Sequence, residues 1–109
     1  MTAVVRETES ERLSQLCKAL GHPVRVEILR YVRQHPRCIG NEILLQLPDP
    51  CARAQSTLSQ HLKVLCEANI IESEHDGPAV TYTVNEEQLA WLHERLAEFL
   101  GQSYPRVTL

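Results

Sequence analysis

The apolar residues keep a helical period through about the first two thirds of the chain, alternate for some fifteen residues, and then return to the helical period. Leu13, Leu16, Cys17 and Leu20 predict a first helix over about Ser10 to Leu20, stopped by Gly21. Pro23 suits the first turn of a second helix, about Val24 to Gln34, whose inner stripe is Val24, Ile28, Leu29 and Val32 and which Pro36 ends. A short third helix fits Asn41 to Leu47, closed by Pro48-Asp49-Pro50, and a fourth fits Ala54 to Ala68 with Asn69 as its stop. The alternating runs Ile70 to Glu74 and Val80 to Val84 flank the turn residues His75-Asp76-Gly77-Pro78 and predict a β-hairpin. Asn85 followed by Glu86, Glu87 and Gln88 caps a last helix to about Leu100, aligning Leu89, Leu92, Leu96, Phe99 and Leu100. The expected order is α-α-α-α-β-β-α, mainly helical with a β-hairpin wing directly after the fourth helix. That is the layout of a winged helix-turn-helix, expected as one domain over 1–109 with 1–9 and 102–109 as flexible tails.

Composition narrows the function classes. With 43% hydrophobic and 23% charged residues in 109, the chain reads as one soluble globular domain. No apolar run approaches the roughly 20 residues of a membrane helix, and Met1 to Arg12 lacks the apolar stretch of a signal peptide. A cytoplasmic protein with four reduced cysteines is therefore expected, with no membrane partner. The four glycines are too scattered for a phosphate-binding loop or a GxGxxG fingerprint, and CxxC and HExxH are absent, so nothing recommends an enzyme. The net charge of −3 argues mildly against nucleic acid, but it hides a segregation. Lys18 to Lys63 carries +4, Val64 to Leu109 carries −6 and Met1 to Cys17 carries −1. One half is suited to phosphates while the other stays acidic.

The fourth helix carries the most informative chemistry. Leu58, Leu62 and Leu65 anchor one face, leaving Gln55, Ser56, Thr57, Ser59, Gln60, His61 and Lys63 for the other. A merely solvated face is normally rich in Glu and Lys, whereas amides and hydroxyls lose helix propensity unless they do something else. They donate and accept, which suits base edges in a major groove, and Lys63 suits a phosphate.

Leu16-Cys17-Lys18-Ala19-Leu20-Gly21-His22-Pro23-Val24-Arg25 with Ile28-Leu29, then Gln55-Ser56-Thr57-Leu58-Ser59-Gln60-His61-Leu62-Lys63-Val64-Leu65 and Glu67-Ala68-Asn69-Ile70-Ile71, resembles the ArsR/SmtB family of metal- and thiol-responsive repressors. The resemblance covers about Leu13 to Val84. It implies a homodimer, built through helices one and five, that binds double-stranded operator DNA at an imperfect inverted repeat and leaves it on meeting its signal. The expected DNA contacts are Ser56, Thr57, Ser59, Gln60 and His61 on bases, with Gln55 beside them and Arg53 and Lys63 on the backbone. Two features depart from the family pattern. The wing Glu72-Ser73-Glu74-His75-Asp76-Gly77-Pro78 is acidic where the family is basic, leaving His75 as its one DNA-reaching residue, and Asp49 to Arg53 looks like an insertion of about four residues. Apolar residues on helix five, together with Trp91, exceed what one small domain easily covers, which agrees with dimerisation.

The sensing sites implied by the resemblance are incomplete. Cys38-Ile39-Gly40 lacks the second thiol of a Cys-x-Cys pair, and His93 stands alone where a helix-five zinc site needs several ligands. Cys17 and Cys66 lie on or beside apolar stripes and read as small buried hydrophobes. Cys38 and Cys51 fall at helix ends near Arg37 and Arg53, where a thiol is accessible and a cation lowers its pKa. Soft thiolates suit As(III) or another thiophilic ion, so Cys51, Cys38 and, on the dimer-forming helix, Cys17 are the candidate ligands of an arsenite-like inducer. An oxidant that joins two thiols is the alternative signal. A winged helix used only for protein contacts is the alternative function.

Overall fold

The computed structural model describes residues 2–47 and 55–101. Its elements are α1 (Thr2–Ala19), α2 (Pro23–Gln34), β1 (Cys38–Ile39), α3 (Gly40–Gln46), α4 (Gln55–Glu67), β2 (Ile71–Asp76), β3 (Ala79–Val84) and α5 (Glu86–Leu100). This is the expected winged helix-turn-helix with one strand more. The extra strand, β1, pairs antiparallel with β3 through Cys38↔Tyr82 and Ile39↔Thr81, giving the sheet order β1-β3-β2. Arg37 adopts a φ of 67° and donates its N–H to the Tyr82 carbonyl at 2.9 Å, which turns the chain onto the free edge of β3. A second difference lies at the start: α1 begins at Thr2, so the stretch expected as a tail forms the helix's first turns. The expected tail 102–109, the Pro48-Asp49-Pro50 turn and the insertion that follows it fall outside the described residues.

The local stop and start signals act as the sequence predicts. Asn69 takes a φ of 60°, its N–H reaches the Cys66 carbonyl at 3.0 Å and the Ile70 N–H reaches Leu65 at 3.0 Å. That pair of bonds is a Schellman cap, with Leu65 and Ile70 supplying its apolar contact, both fully buried. The Asn85 side chain accepts from the Gln88 N–H at 3.1 Å and opens α5. His22 caps α2, its ring Nδ1 accepting from the Val24 N–H at 3.1 Å, and Pro23 fills the first helical position. Gly77 has a φ of 64° between the closing pair Asp76↔Ala79, the conformation a two-residue hairpin loop requires of its first residue.

One core joins these elements. Leu16 and Ala19 of α1, Ile28 and Val32 of α2, Ile43 and Leu47 around α3, Leu58, Leu62 and Leu65 of α4, Ile70, Ile71, Cys38 and Leu92 form a single buried cluster. Gln88 is a buried polar tie across it: its Nε2 donates to the Ala68 carbonyl at 2.8 Å, and its Oε1 accepts from Arg12 of α1, whose Nε lies at 3.2 Å. The residue that follows α4 is thereby tied to both α1 and α5.

Candidate nucleic-acid interface

Helix α4 divides cleanly by exposure. Leu58, Leu62 and Leu65 face the core, while Ser56, Ser59, Gln60 and Lys63 are exposed at i, i+3, i+4 and i+7 and form one stripe; Thr57 is half-buried at its margin. The stripe offers two hydroxyls and an amide for base edges, with one ammonium that enters no ion pair among the described residues. Gln55 begins the helix, but its side chain, with Arg53 and Cys51, lies outside the described residues.

His61 does not belong to this stripe. It is only 9% exposed and turns inward, its ring 4.5 Å from that of His22 and its Nδ1 3.3 Å from Nη1 of Arg25. Burial, followed by the neighbouring His22 and Arg25, holds its pKa below the ordinary value of 6.5. The structure thus places His61 off the exposed stripe on which a base contact was expected, with its Nδ1 engaged by Arg25. Arg25, given no role by the sequence, is the hub here. Its Nε donates to the Ala19 carbonyl at 2.6 Å and its Nη2 to Lys18 at 3.4 Å, placing a cation on the last carbonyls of α1, where the helix dipole favours it.

The wing sorts its charges by strand alternation. Ile71, Ser73 and His75 share one face of β2 with their partners Val84, Tyr82 and Val80; Glu72, Glu74 and Asp76 share the other. The first face is turned to α4, since Ser73 and Tyr82 line a cleft of about 240 Å³ with Ser59, Leu62, Lys63 and Cys66. The exposed His75 is therefore on the α4 side, and the three carboxylates lie on the opposite face. Asp76 also meets Arg37 at 3.9 Å, a fully solvated pair worth little.

The thiols depart from expectation in two places. Cys38 is 3% exposed in the core, and burial raises its pKa despite a backbone hydrogen bond that lowers it, so it is not the accessible, activated thiol expected. Its place in β1 explains this, because pairing with Tyr82 turns the side chain under the sheet while Arg37 points to Asp76. Cys17 is exposed rather than buried: the inward positions of α1 are Leu16 and Ala19, and Cys17 is turned about 100° from Leu16. Cys66 is half-buried at the edge of the core, and burial raises its pKa also. No group of three metal-ligating side chains assembles among the described residues.

Apolar surface remains at the end of α5, where Leu96, Phe99 and Leu100 are 41%, 75% and 56% exposed. Trp91 is not part of that excess, being half-buried under the Arg12 guanidinium at 3.9 Å from its ring centre. No helix among the described residues is long and apolar enough to cross a membrane.

The penicillinase repressor family model matches residues 23–107. The HTH-type transcriptional repressor SmtB of Mycobacterium tuberculosis is 34% identical over 76 residues, which cover 70% of this chain and 53% of that protein. The chain thus spans about half the length of that relative. The arsenical resistance operon repressor of Bacillus subtilis is 36% identical over 86 residues, 76% of this chain and 78% of its own. Among solved structures, an ArsR-like transcriptional regulator from Rhodococcus superposes with a TM-score of 0.73 at 21% identity, over 89% of this chain and 86% of the other.

Proposed function

We infer, from the premise that the chain belongs to the ArsR/SmtB family of winged helix-turn-helix transcriptional repressors, that it binds double-stranded operator DNA as a homodimer in the cytoplasm. The observation that carries the reading is the exposed Ser56, Ser59, Gln60 and Lys63 stripe on a helix whose other face is locked into the core. Each protomer lays α4 in a major groove, with half-sites about one helical turn apart in an imperfect inverted repeat. Ser56, Ser59 and Gln60 read bases with Gln55 preceding them in the sequence, Thr57 stands at the margin, Lys63 and Arg53 hold the backbone, and His75 approaches from the wing. Helices α1 and α5 supply the dimer contact, which covers Leu96, Phe99 and Leu100.

The test is selection of a preferred duplex from a random double-stranded pool, then binding measured by fluorescence anisotropy. Gln60→Ala is expected to lower discrimination between the selected duplex and a single-base variant by about 1–3 kcal/mol. A pool that yields no enriched sequence, with no salt-dependent binding, overturns the reading. The acidic face Glu72, Glu74 and Asp76 favours a second reading, a module that docks on a basic protein surface, which that outcome would support.

For the signal we favour a thiol-directed agent, either a soft metalloid such as arsenite or an oxidant. A three-thiolate site for As(III) is not assembled within one chain among the described residues, and Cys38 is sealed in the core. Among the described residues the thiol open to such an agent is the exposed Cys17 on α1, and Cys51, which precedes α4 in the sequence, is the second candidate. Release of the selected duplex by arsenite and by peroxide, compared in Cys17→Ser and Cys51→Ser proteins, tests this. Undiminished release in both variants overturns it.

A further inference from the structure

The corner where α1, α2 and α4 meet holds two imidazoles, His22 and His61, each engaged through Nδ1. Arginine only donates, so His61 Nδ1 accepts from Arg25 Nη1 and keeps its own proton on Nε2. His22 Nδ1 accepts from the Val24 N–H at 3.1 Å. The Arg25–His61 bond exists only while His61 Nδ1 is unprotonated. A proton placed on His61 Nδ1 would set N–H against N–H, and would add a charge beside a guanidinium and 4.5 Å from a second imidazole.

We propose that this corner is a proton-operated clamp on α4: mild acidification breaks the Arg25–His61 bond, loosens α4 against α2, and lowers affinity for DNA. The last step rests on the assignment of α4 as the DNA-reading helix. Among the described residues, the charged and titratable groups facing the corner are Arg25 of α2, His22 of the preceding turn, Lys18 at the end of α1 and Glu67 of α4. Lys18, Arg25 and Glu67 line one open cleft with Gln15, Ala19, Val64 and Ala68. Glu67 is the sole carboxylate of that set, and it stands six residues beyond His61, about 9 Å along the helix. It is not placed to neutralise an imidazolium at the corner. On α2 itself Glu27 is exposed, and the carboxylates of neighbouring helices that approach α2, Glu86 beside Arg33 and Glu42 beside Tyr31, lie toward its C-terminal half, away from the corner.

The sign follows from linkage. His61 has its pKa lowered in the closed state, chiefly by burial, so the opened state binds the proton better. The clamp is fully closed above the free imidazole's pKa of about 6.5, and its hold is lost as pH falls from there toward the closed-state value. At pH 5.5 one such histidine can raise the open-to-closed ratio by at most about tenfold.

The experiment is amide hydrogen exchange of the full chain at pH 7.5 and 5.5, corrected for chemical exchange, with no DNA present. Protection over residues 56–67 is expected to fall severalfold, up to that tenfold ceiling, while β2 and β3 keep theirs. His61→Gln places a non-titrating acceptor before Arg25 and is expected to make protection of α4 independent of pH. Should that variant not fold, the wild-type histidine Cε1 proton resonances report instead, with a His61 midpoint below about 6.5 tracking the loss of protection. Unchanged α4 protection at pH 5.5, or an equal loss in folded His61→Gln, overturns the clamp. Binding of the selected duplex is measured alongside. A chain that binds no duplex at pH 7.5 removes the DNA assignment, and the exchange data still decide the clamp.

Discussion

Lys63→Ala separates a phosphate contact from a base contact with one number. Lys63 is exposed on the α4 stripe and enters no ion pair among the described residues, so its charge is available to DNA and its removal leaves no buried partner unpaired. Each phosphate neutralised on B-DNA contributes a slope of about −0.9 to the dependence of log affinity on log salt concentration. A dimer carries two copies of Lys63, so the variant should flatten that slope by about 1.8. Between 50 and 200 mM salt, a fourfold change, the wild-type advantage should shrink by about twelvefold. Anisotropy titrations of both proteins on one labelled duplex at four salt concentrations measure this directly. Lines that stay parallel refute the phosphate assignment, because the lost affinity would then not come from released counterions. A changed sequence preference at unchanged slope would place Lys63 on a base instead.

Two further outcomes test the dimer face and the end of α4. Phe99, three quarters exposed on α5, should bury against the partner; Phe99→Glu then loses about 1.5–3 kcal/mol per copy, weakening the dimer by two orders of magnitude or more in sedimentation equilibrium. A dimer constant equal to wild type would put the contact elsewhere. Asn69 caps α4 in the left-handed region, so Asn69→Ala should cost about 1–2 kcal/mol in urea denaturation at fixed protein concentration, whereas Asn69→Gly should cost nothing. Equal midpoints for the alanine and glycine variants would show that the backbone there relaxes out of the αL well.

What the sequence made legible is what local spacing alone determines. Leu58, Leu62 and Leu65 define the buried face of α4, Asn69 and Asn85 mark a helix end and a helix start, and the period change at Ile70 marks the wing; each needs only neighbours within one turn or one strand. Strand β1 was invisible because two residues have no period, and their pairing depends on an edge of β3 more than forty positions away. Cys38 inherits that difficulty: its burial follows from the pairing and not from its flanking residues.

His61 is a different kind of miss, because its angle was readable. At about 100° per residue it lies roughly 60° from Leu58, inside the width of the core face, while Ser56, Ser59, Gln60 and Lys63 cluster on the far side. Its polar chemistry argued for water or DNA, and only the position of Arg25 in space shows that the polar atom is satisfied within the chain. Gln88 repeats the pattern, buried because Arg12 and the Ala68 carbonyl meet both ends of its amide. A buried polar residue is legible only through its partner, and when that partner is distant in sequence, pattern alone assigns the residue to the surface. Exposed Phe99 is the converse case. Its apolar side chain is three quarters exposed, which leaves it available to the second chain proposed above to cover it.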